Sequence, residues 1–367
     1  MSGKRILVTG PTGFIGLNLV KELINQGHQV SALVRSTSSP SKTALLKKLG
    51  ANLVQADLKD PDSLGPAVAG QQAIFHLAAV ARAVKIETFK EVNLVGFSNL
   101  MQAAIAAGSN PKIVFVSSLA AVGPSPFGQP HRECAIPNPI SNYGKSKRAA
   151  EQLAQQFSDR LNISIVRPPI VLGPHDPRGF EMFKLIERWG DHFNPSINNE
   201  EYSVIHVTDL CAALIAVADN GQSMTPQDPA AGVYFASGDE IVSYQQLGTM
   251  IGQALGKTST FNFPVIRPIL RLIGGFNTMI GKLTGSPKFM NYDKVRDVTA
   301  GSWAIENQKL KEDTGFELST SLAQRISQTV RWYRSQGWLQ PAANASQRVP
   351  AAQNPSQGSN DPTMHAN

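Results

Sequence analysis

Cysteine is almost missing from this chain of 367 residues: Cys134 and Cys211 are the only two, and they stand far apart. So small a supply excludes a disulfide framework and fits a reducing compartment. Neither cysteine has a metal-ligand spacing to another Cys or to a His, so no metal centre is expected and both read as small buried hydrophobes. No stretch has the unbroken apolar length of a membrane span. The first strand begins almost at Met1 and leaves no room for a signal peptide, so the expected location is cytoplasmic, with membrane association as a variant of it. Charged residues make up only 17%, and although the formal charge is +7, the Lys and Arg residues are dispersed. No basic patch interleaved with aromatics stands out, so nucleic acid is not an expected partner; an anionic cofactor or membrane fits the charge better. Internal repeats are also missing. What remains is a globular chain, 42% hydrophobic, long enough for one large α/β domain with a smaller one appended.

The organising stretch is Lys4 to Gly16. Ile6, Leu7 and Val8 form an apolar run too brief for a helix and right for a buried parallel strand. Gly10, Gly13 and Gly16 follow at three-residue spacing, and Phe14, Ile15, Leu17, Leu19, Val20, Leu23 and Ile24 then take up helical periodicity. Strand, glycine turn and helix N-terminus together make a pyrophosphate site, because glycines let a ligand approach the backbone and the helix end favours an anion.

Further strands are predicted at His28–Val34, Asn52–Ala56, Ala73–Leu77, Lys112–Val116 and Ile163–Val166, alternating with helices that include Glu87–Ala107 and Asn142–Phe157. This predicts a doubly wound parallel sheet. Arg35, with hydroxyls beside it, ends the second strand where NAD would meet an acidic residue; a guanidinium suits a 2′-phosphate, so NADP is the expected cofactor, with NAD the alternative. Asp57 can accept from an adenine amino group or cap the next turn. His76, in an apolar strand, reads as a packed core residue. After residue 175 the alternation loosens. Helices are predicted at Phe180–Trp189, from a Thr208-Asp209 cap through Ala218, from a Ser243/Gln246 capping box to Leu255, and at Leu322–Trp332; strands are predicted at Tyr202–Val207 and Val233–Ala236. The expected division is a dinucleotide-binding domain over 1–175, with segments such as 202–220 returning to it, a substrate domain over 176–340, and a disordered tail over 341–367. One stretch stands apart. Ile266, Ile269, Leu270, Ile273, Met279, Ile280 and Leu283 fall at helical spacing beside Arg267, Arg271 and Lys282. Gly274-Gly275 would weaken or break such a helix. It reads either as a helical pair packed on the smaller domain or as a greasy lid or interfacial helix beside the substrate mouth.

Ser118, Tyr143 and Lys147 make a coherent redox site. Tyr143 and Lys147 are four apart and project from one helix face. An ammonium within reach should lower the phenol's pKa from its usual value of about 10 toward neutrality. Tyr143 would then exchange a proton with a ketone oxygen, and Ser118 would hold that oxygen.

Here the sequence resembles a known family. Gly10-x-x-Gly13-x-x-Gly16, Asp57-Leu58, His76-Leu77-Ala78-Ala79, Asn93, Ser117-Ser118, Tyr143-x-x-x-Lys147, the Arg167–Pro174 run and Ile205–Asp209 are similar to the extended short-chain dehydrogenase/reductases, the NAD-dependent epimerase/dehydratase superfamily. Ser117–Pro124 and the greasy C-terminal region look most like its hydroxysteroid dehydrogenase and dihydroflavonol reductase branch. The resemblance implies that Ser118, Tyr143 and Lys147 are catalytic and that Asn93 is a structural or relay residue. It also implies that Gly10, Thr12, Gly13, Phe14, Ile15, Gly16, Arg35, Asp57, Leu58, Ala78 and Pro168 touch the cofactor, together with Tyr143 and Lys147. Leu119-Ala120 stands where sugar-nucleotide dehydratases carry an acidic pair, which counts against dehydration. Arg35 and Val122 depart from the epimerase pattern. The expected activity is an NADP-preferring interconversion of a ketone and a secondary alcohol on a sizeable hydrophobic substrate. A sugar-nucleotide epimerase holding NAD, and an NADP-sensing protein without catalysis, are the alternatives. Beyond the substrate, the expected partners are a second copy of the chain and a membrane surface reached through 266–283.

Overall fold

Short apolar runs separated by helices build the main sheet. Its strands are β1 (Arg5–Thr9), β2 (Gln29–Val34), β3 (Asn52–Gln55), β4 (Ala73–His76), β5 (Lys112–Val116), β6 (Asn162–Arg167) and β7 (Val233–Phe235). The structure, a computed structural model, describes residues 3–194, 200–288 and 290–341; the tail expected beyond Pro341 lies outside the described residues. The seven strands form one sheet in the order β7-β6-β5-β4-β1-β2-β3, every neighbouring pair parallel. The chain therefore winds outward from β1 to β3, then crosses back to β4. The strand order reverses between β1 and β4, where open α/β sheets keep their ligand crevice.

Helices bury both faces, which explains why strands such as Ile6-Leu7-Val8 and Val114-Phe115-Val116 are continuously apolar. One layer packs Leu19, Val20 and Leu23 of the Phe14–Asn25 helix with Leu210 and Leu214 of the Val207–Asn220 helix; the other packs Phe97, Leu100 and Met101 with Ala150 and Ala154. A separate core forms beside a three-stranded sheet of Ile170–Leu172, Glu201–His206 and Ile241–Ser243, with Phe183, Ile186, Leu247, Ile251, Ile326 and Tyr333 at its centre.

Several local readings are met. Ser243 and Gln246 form the reciprocal capping box that starts the Tyr244–Leu255 helix. His76 is a core residue: its ring packs against Phe97 and Phe115, its Nδ1 lies 2.9 Å from Thr9 Oγ1, and burial, with Lys147 nearby, drives its pKa down to about 3. Others are corrected. Of the two cysteines expected to be buried, Cys211 is and Cys134 is exposed. Thr208 and Asp209 do not cap the Val207–Asn220 helix; the His206 imidazole does, accepting from Thr208 N at 3.2 Å. Asp209 instead takes a two-pronged contact from Arg325, a partner far away in sequence. The Glu87–Ala107 helix is interrupted by a π-helical segment at Lys90–Val95. Residues 267–284 form a single helix rather than a pair. Gly274 does not break it; a Cβ there would come within 2.7 Å of Val295 and 3.2 Å of the Tyr292 backbone, so the glycine lets the Tyr292–Val298 helix pack close. No described helix is long and apolar enough to cross a membrane.

Candidate active site

The glycine loop is a cradle that side chains would fill. Gly10 has φ +70°, and a Cβ there would lie 2.8 Å from Ala78 N; a Cβ on Gly16 would lie 2.2 Å from Gly10 O. The loop closes on itself through Gly13 N to Gly10 O at 3.1 Å. No side chain caps the Phe14–Asn25 helix, so its first N–H groups face the crevice. Phe14 and Ile15 are half-buried and pack on the core behind the loop. A compact cradle with an uncapped helix end fits a dinucleotide pyrophosphate.

The other expected cofactor contacts sort differently. Ala78 lies against the loop, its N–H donating to Thr9 Oγ1 at 3.2 Å. Arg35 is exposed at the end of β2. A cation that sequence reasoning missed reaches the glycine loop: Lys42, on the next helix, donates to the Thr12 carbonyl at 2.8 Å. Asp57 takes the turn-capping role, accepting from Lys59 N at 2.9 Å. Leu58 turns its side chain into the core against Gly96, and its carbonyl accepts from Asn99 at 2.8 Å. Pro168 is buried and takes the Leu119 N–H at 2.9 Å, bracing the turn that carries Ser118.

β5 delivers Ser117 and Ser118 at its carboxyl end. Ser118 is extended, with φ −166°, and its Oγ accepts from Ala120 N at 3.2 Å. The Asn142–Gln156 helix presses on this turn because residue 144 is glycine: a Cβ there would sit 2.2 Å from Ala120 O. That approach sets the Tyr143 phenol beside the Ser118 hydroxyl. Burial raises the phenol's pKa; the Ser118 hydroxyl and the Arg178 guanidinium pull it back, and Asp297 raises it. The lowering expected from Lys147 is therefore corrected. The Lys147 ammonium is fully buried over the Phe115 ring and donates to Val116 O at 2.7 Å, rather than to the phenol. Burial brings its own pKa down to about 7, against the pull of Glu151. Lys147 thus fixes the strand end from which Ser118 projects.

Asn93 sits in the π-helical segment and clamps two parts of the site. Its side chain accepts from Val80 N at 2.8 Å, donates to Val80 O at 3.0 Å, and donates to Ser146 Oγ at 2.9 Å; Ser146 in turn donates to Tyr143 O at 2.7 Å. A π-bulge often marks a functional position, and here it aims Asn93 across the crevice wall.

Sequence reasoning also missed Glu151. Its carboxylate accepts from Arg167 Nε at 2.9 Å and Nη2 at 2.8 Å, from Ser117 Oγ at 2.6 Å and from Arg148 at 3.1 Å, almost wholly buried. Burial pushes its pKa up, but Arg167, Ser117 and Arg148 more than offset this and hold it below the usual carboxylate range. The available signal was spacing: Glu151 is one turn beyond Lys147 on the same face. Its partner at the end of β6 was not readable. Two more contacts frame the site. Asn18 ties the glycine helix to Pro174 O at 3.0 Å, and Asp293 accepts from Asn142 N at 2.8 Å and Tyr143 N at 3.4 Å. Among the described residues no three His, Cys, Asp or Glu side chains gather as a metal-ligand set.

Residues 6–230 match the model of the NAD dependent epimerase/dehydratase family. The chain belongs to that family. Its members are nicotinamide-dependent oxidoreductases and epimerases, in agreement with the cradle and the Rossmann-type sheet. Among curated relatives, a ceramide reductase of Caulobacter vibrioides is 29% identical over 338 residues, 91% of this chain and 96% of the relative. A UDP-glucose 4-epimerase of Vibrio cholerae is 28% identical over 333 residues, 89% and 95% of the two chains. Among solved structures, the dTDP-glucose 4,6-dehydratase DesIV of Streptomyces venezuelae, with NAD and TYD bound, superposes with a TM-score of 0.72 at 22% identity, covering 92% of this chain and all of the other, a likeness of fold.

Proposed function

We propose that the chain is an NADP-preferring reductase, or dehydrogenase in reverse, acting on a ketone or secondary alcohol of a sizeable hydrophobic substrate. The observation that carries this reading is the placement of the Tyr143 phenol beside Ser118 at the end of β5, two strands from the Gly10 cradle. Strand spacing puts that pair about 10 Å from the glycines. In this reading Gly10, Gly13 and Gly16 hold the pyrophosphate, and Arg35 with Lys42 meets a 2′-phosphate. The bound cofactor supplies hydride to the carbonyl carbon. Tyr143, a neutral phenol, gives its Oη proton to the carbonyl oxygen, and Ser118 Oγ holds the same oxygen. As the phenolate forms, the Ser118 hydroxyl and Arg178 stabilise it. Asn93, Lys147 and Glu151 act on the position of these groups. We assign cofactor binding to the seven-stranded sheet and substrate binding to the unit around the three-stranded one. A second copy of the chain and a membrane surface are the other proposed partners. The reductase relative and the missing acidic pair after Ser118 favour this reading. The Vibrio relative favours a second one, epimerisation of a sugar nucleotide with retained NAD.

The test is NADPH oxidation against a panel of steroid-like, flavonoid-like, acyl and sugar-nucleotide ketones. The proposal expects cofactor consumption with an apolar ketone. Epimerisation of a sugar nucleotide without net cofactor consumption, and silence toward every apolar ketone, would replace it with the second reading.

A further inference from the structure

The Arg267–Thr284 helix is amphipathic the wrong way round for a surface helix. Leu270, Gly274 and Gly281 bury its narrow inner side, while Ile269, Leu272, Ile273, Phe276, Met279 and Leu283 share the outer face. Three of these are 75% (Leu272), 60% (Phe276) and 80% (Leu283) exposed. Scattered exposed apolar residues need no explanation, but a whole helix face of them does. Arg271 and Lys282 are exposed on one edge of the helix, between that face and the buried side. The charge along this stretch is one-sided: between Glu240 and Asp293 the chain carries Lys257, Arg267, Arg271, Lys282 and Lys288 and neither Asp nor Glu, and of these Arg267 is paired with Glu200. The helix is firmly mounted. Arg267 pairs with Glu200 at 3.2 Å, Thr278 Oγ1 accepts from Tyr292 N at 2.9 Å, and Asn277 donates to Met290 O at 3.0 Å. The Tyr292–Val298 helix beneath it carries Asp293, whose carboxylate holds the backbone N–H of Tyr143. The greasy face is therefore one helix layer from the proposed proton donor.

We infer that the outer face of Arg267–Thr284 docks in the interface of an anionic phospholipid bilayer, and so presents the crevice beside Tyr143 to substrate held in that bilayer. Apolar side chains bordered on one edge by cations, on a helix that carries no carboxylate of its own, match acyl chains beneath negative headgroups. A second copy of the chain matches less well, because a two-fold contact through this face would gather the cations of both copies at one interface with no carboxylate from either helix to pair them. The inference deepens the reading of a hydrophobic substrate, and vesicle partition tests it without turnover.

The experiment is co-sedimentation of the full chain with phosphatidylcholine vesicles, with and without about one-third phosphatidylglycerol, at low and high salt. The expected result is binding to the mixed vesicles at least tenfold tighter than to phosphatidylcholine alone, weakened by salt. Leu272→Glu with Leu283→Glu should lower the partition coefficient at least tenfold, and Arg271→Gln with Lys282→Gln should remove most of the preference for anionic lipid. These side chains are exposed, so thermal midpoints and turnover of a water-soluble short ketone should match the parent chain. Equal partition of parent and variants, or no binding to either vesicle, would overturn the inference. So would a concentration-dependent dimer, seen by sedimentation equilibrium, that Leu272→Glu disperses while vesicles capture nothing. Vesicle binding in a chain that turns over no ketone would leave this inference standing and defeat the reductase reading instead.

Discussion

Replacing Gly144 with Ala separates the geometry of the site from the stability of the fold. Ala is the better helix former by about 1 kcal/mol, so the isolated helix should gain. In the folded chain the new Cβ would stand 2.2 Å from Ala120 O, closer than real Cβ atoms come to any neighbour. The helix and the Ser118 turn must then part by roughly 1 Å, a misplacement that can cost about 100-fold in rate. Overpacking of this kind costs about 1–3 kcal/mol, which the helix gain partly offsets, leaving a net loss of about 0–2 kcal/mol. The expected variant is thus folded and only slightly destabilised in urea, with kcat for NADPH-dependent ketone reduction down about 100-fold. Full kcat together with a raised melting temperature would refute the reasoning, because Gly144 would then matter only as a poor helix former.

Glu151→Gln strands the Arg167 guanidinium in the core and should cost about 3–5 kcal/mol at pH 7 by urea unfolding. Because the folded pKa of Glu151 is depressed, its stabilisation is present above the unfolded value of about 4.3, and the gap between parent and variant should close as the pH falls further; a gap that persists at pH 2 would contradict the pairing. Lys147 has its pKa brought down to about 7, against about 10.4 unfolded, so the unfolded chain binds more protons between those values and this residue should add stability as pH rises through that window. Lys147→Met should flatten that slope, which is at most about 1.4 kcal/mol per pH unit; an unchanged slope in paired denaturation series would count against the buried ammonium. Arg35→Ala should raise the KM for NADPH about 10–100-fold and leave that for NADH unchanged, as the loss of charge-assisted hydrogen bonds to a phosphate requires; equal shifts for both cofactors would remove the 2′-phosphate role.

Much of this was legible in the sequence because it is local. The strand–glycine–helix unit at Lys4–Gly16, the apolar runs of the main sheet and the Ser243 capping box all depend on residues within a few positions of one another. What was not legible depends on distant partners. The His206 imidazole caps its helix while Asp209 pairs with Arg325, more than a hundred residues away. Glu151 owes its charge state to Arg167, and the register that joins them is set by the fold. Gly274 carries a helix break in any propensity scale, yet here it is the close contact with Val295 that calls for it. The acidity of Tyr143 is misread from spacing alone, since a lysine one turn along can spend its charge on a backbone carbonyl, as Lys147 does on Val116.

The most direct measurement is Tyr143→Phe, followed by NADPH fluorescence titration and by turnover of the best ketone. The proposal predicts cofactor affinity within about threefold of the parent chain, and kcat lower by the 10²–10⁴ typical of a lost general acid. Turnover kept near the parental rate, or cofactor binding lost as steeply as turnover, would contradict the assignment of the phenol as proton donor.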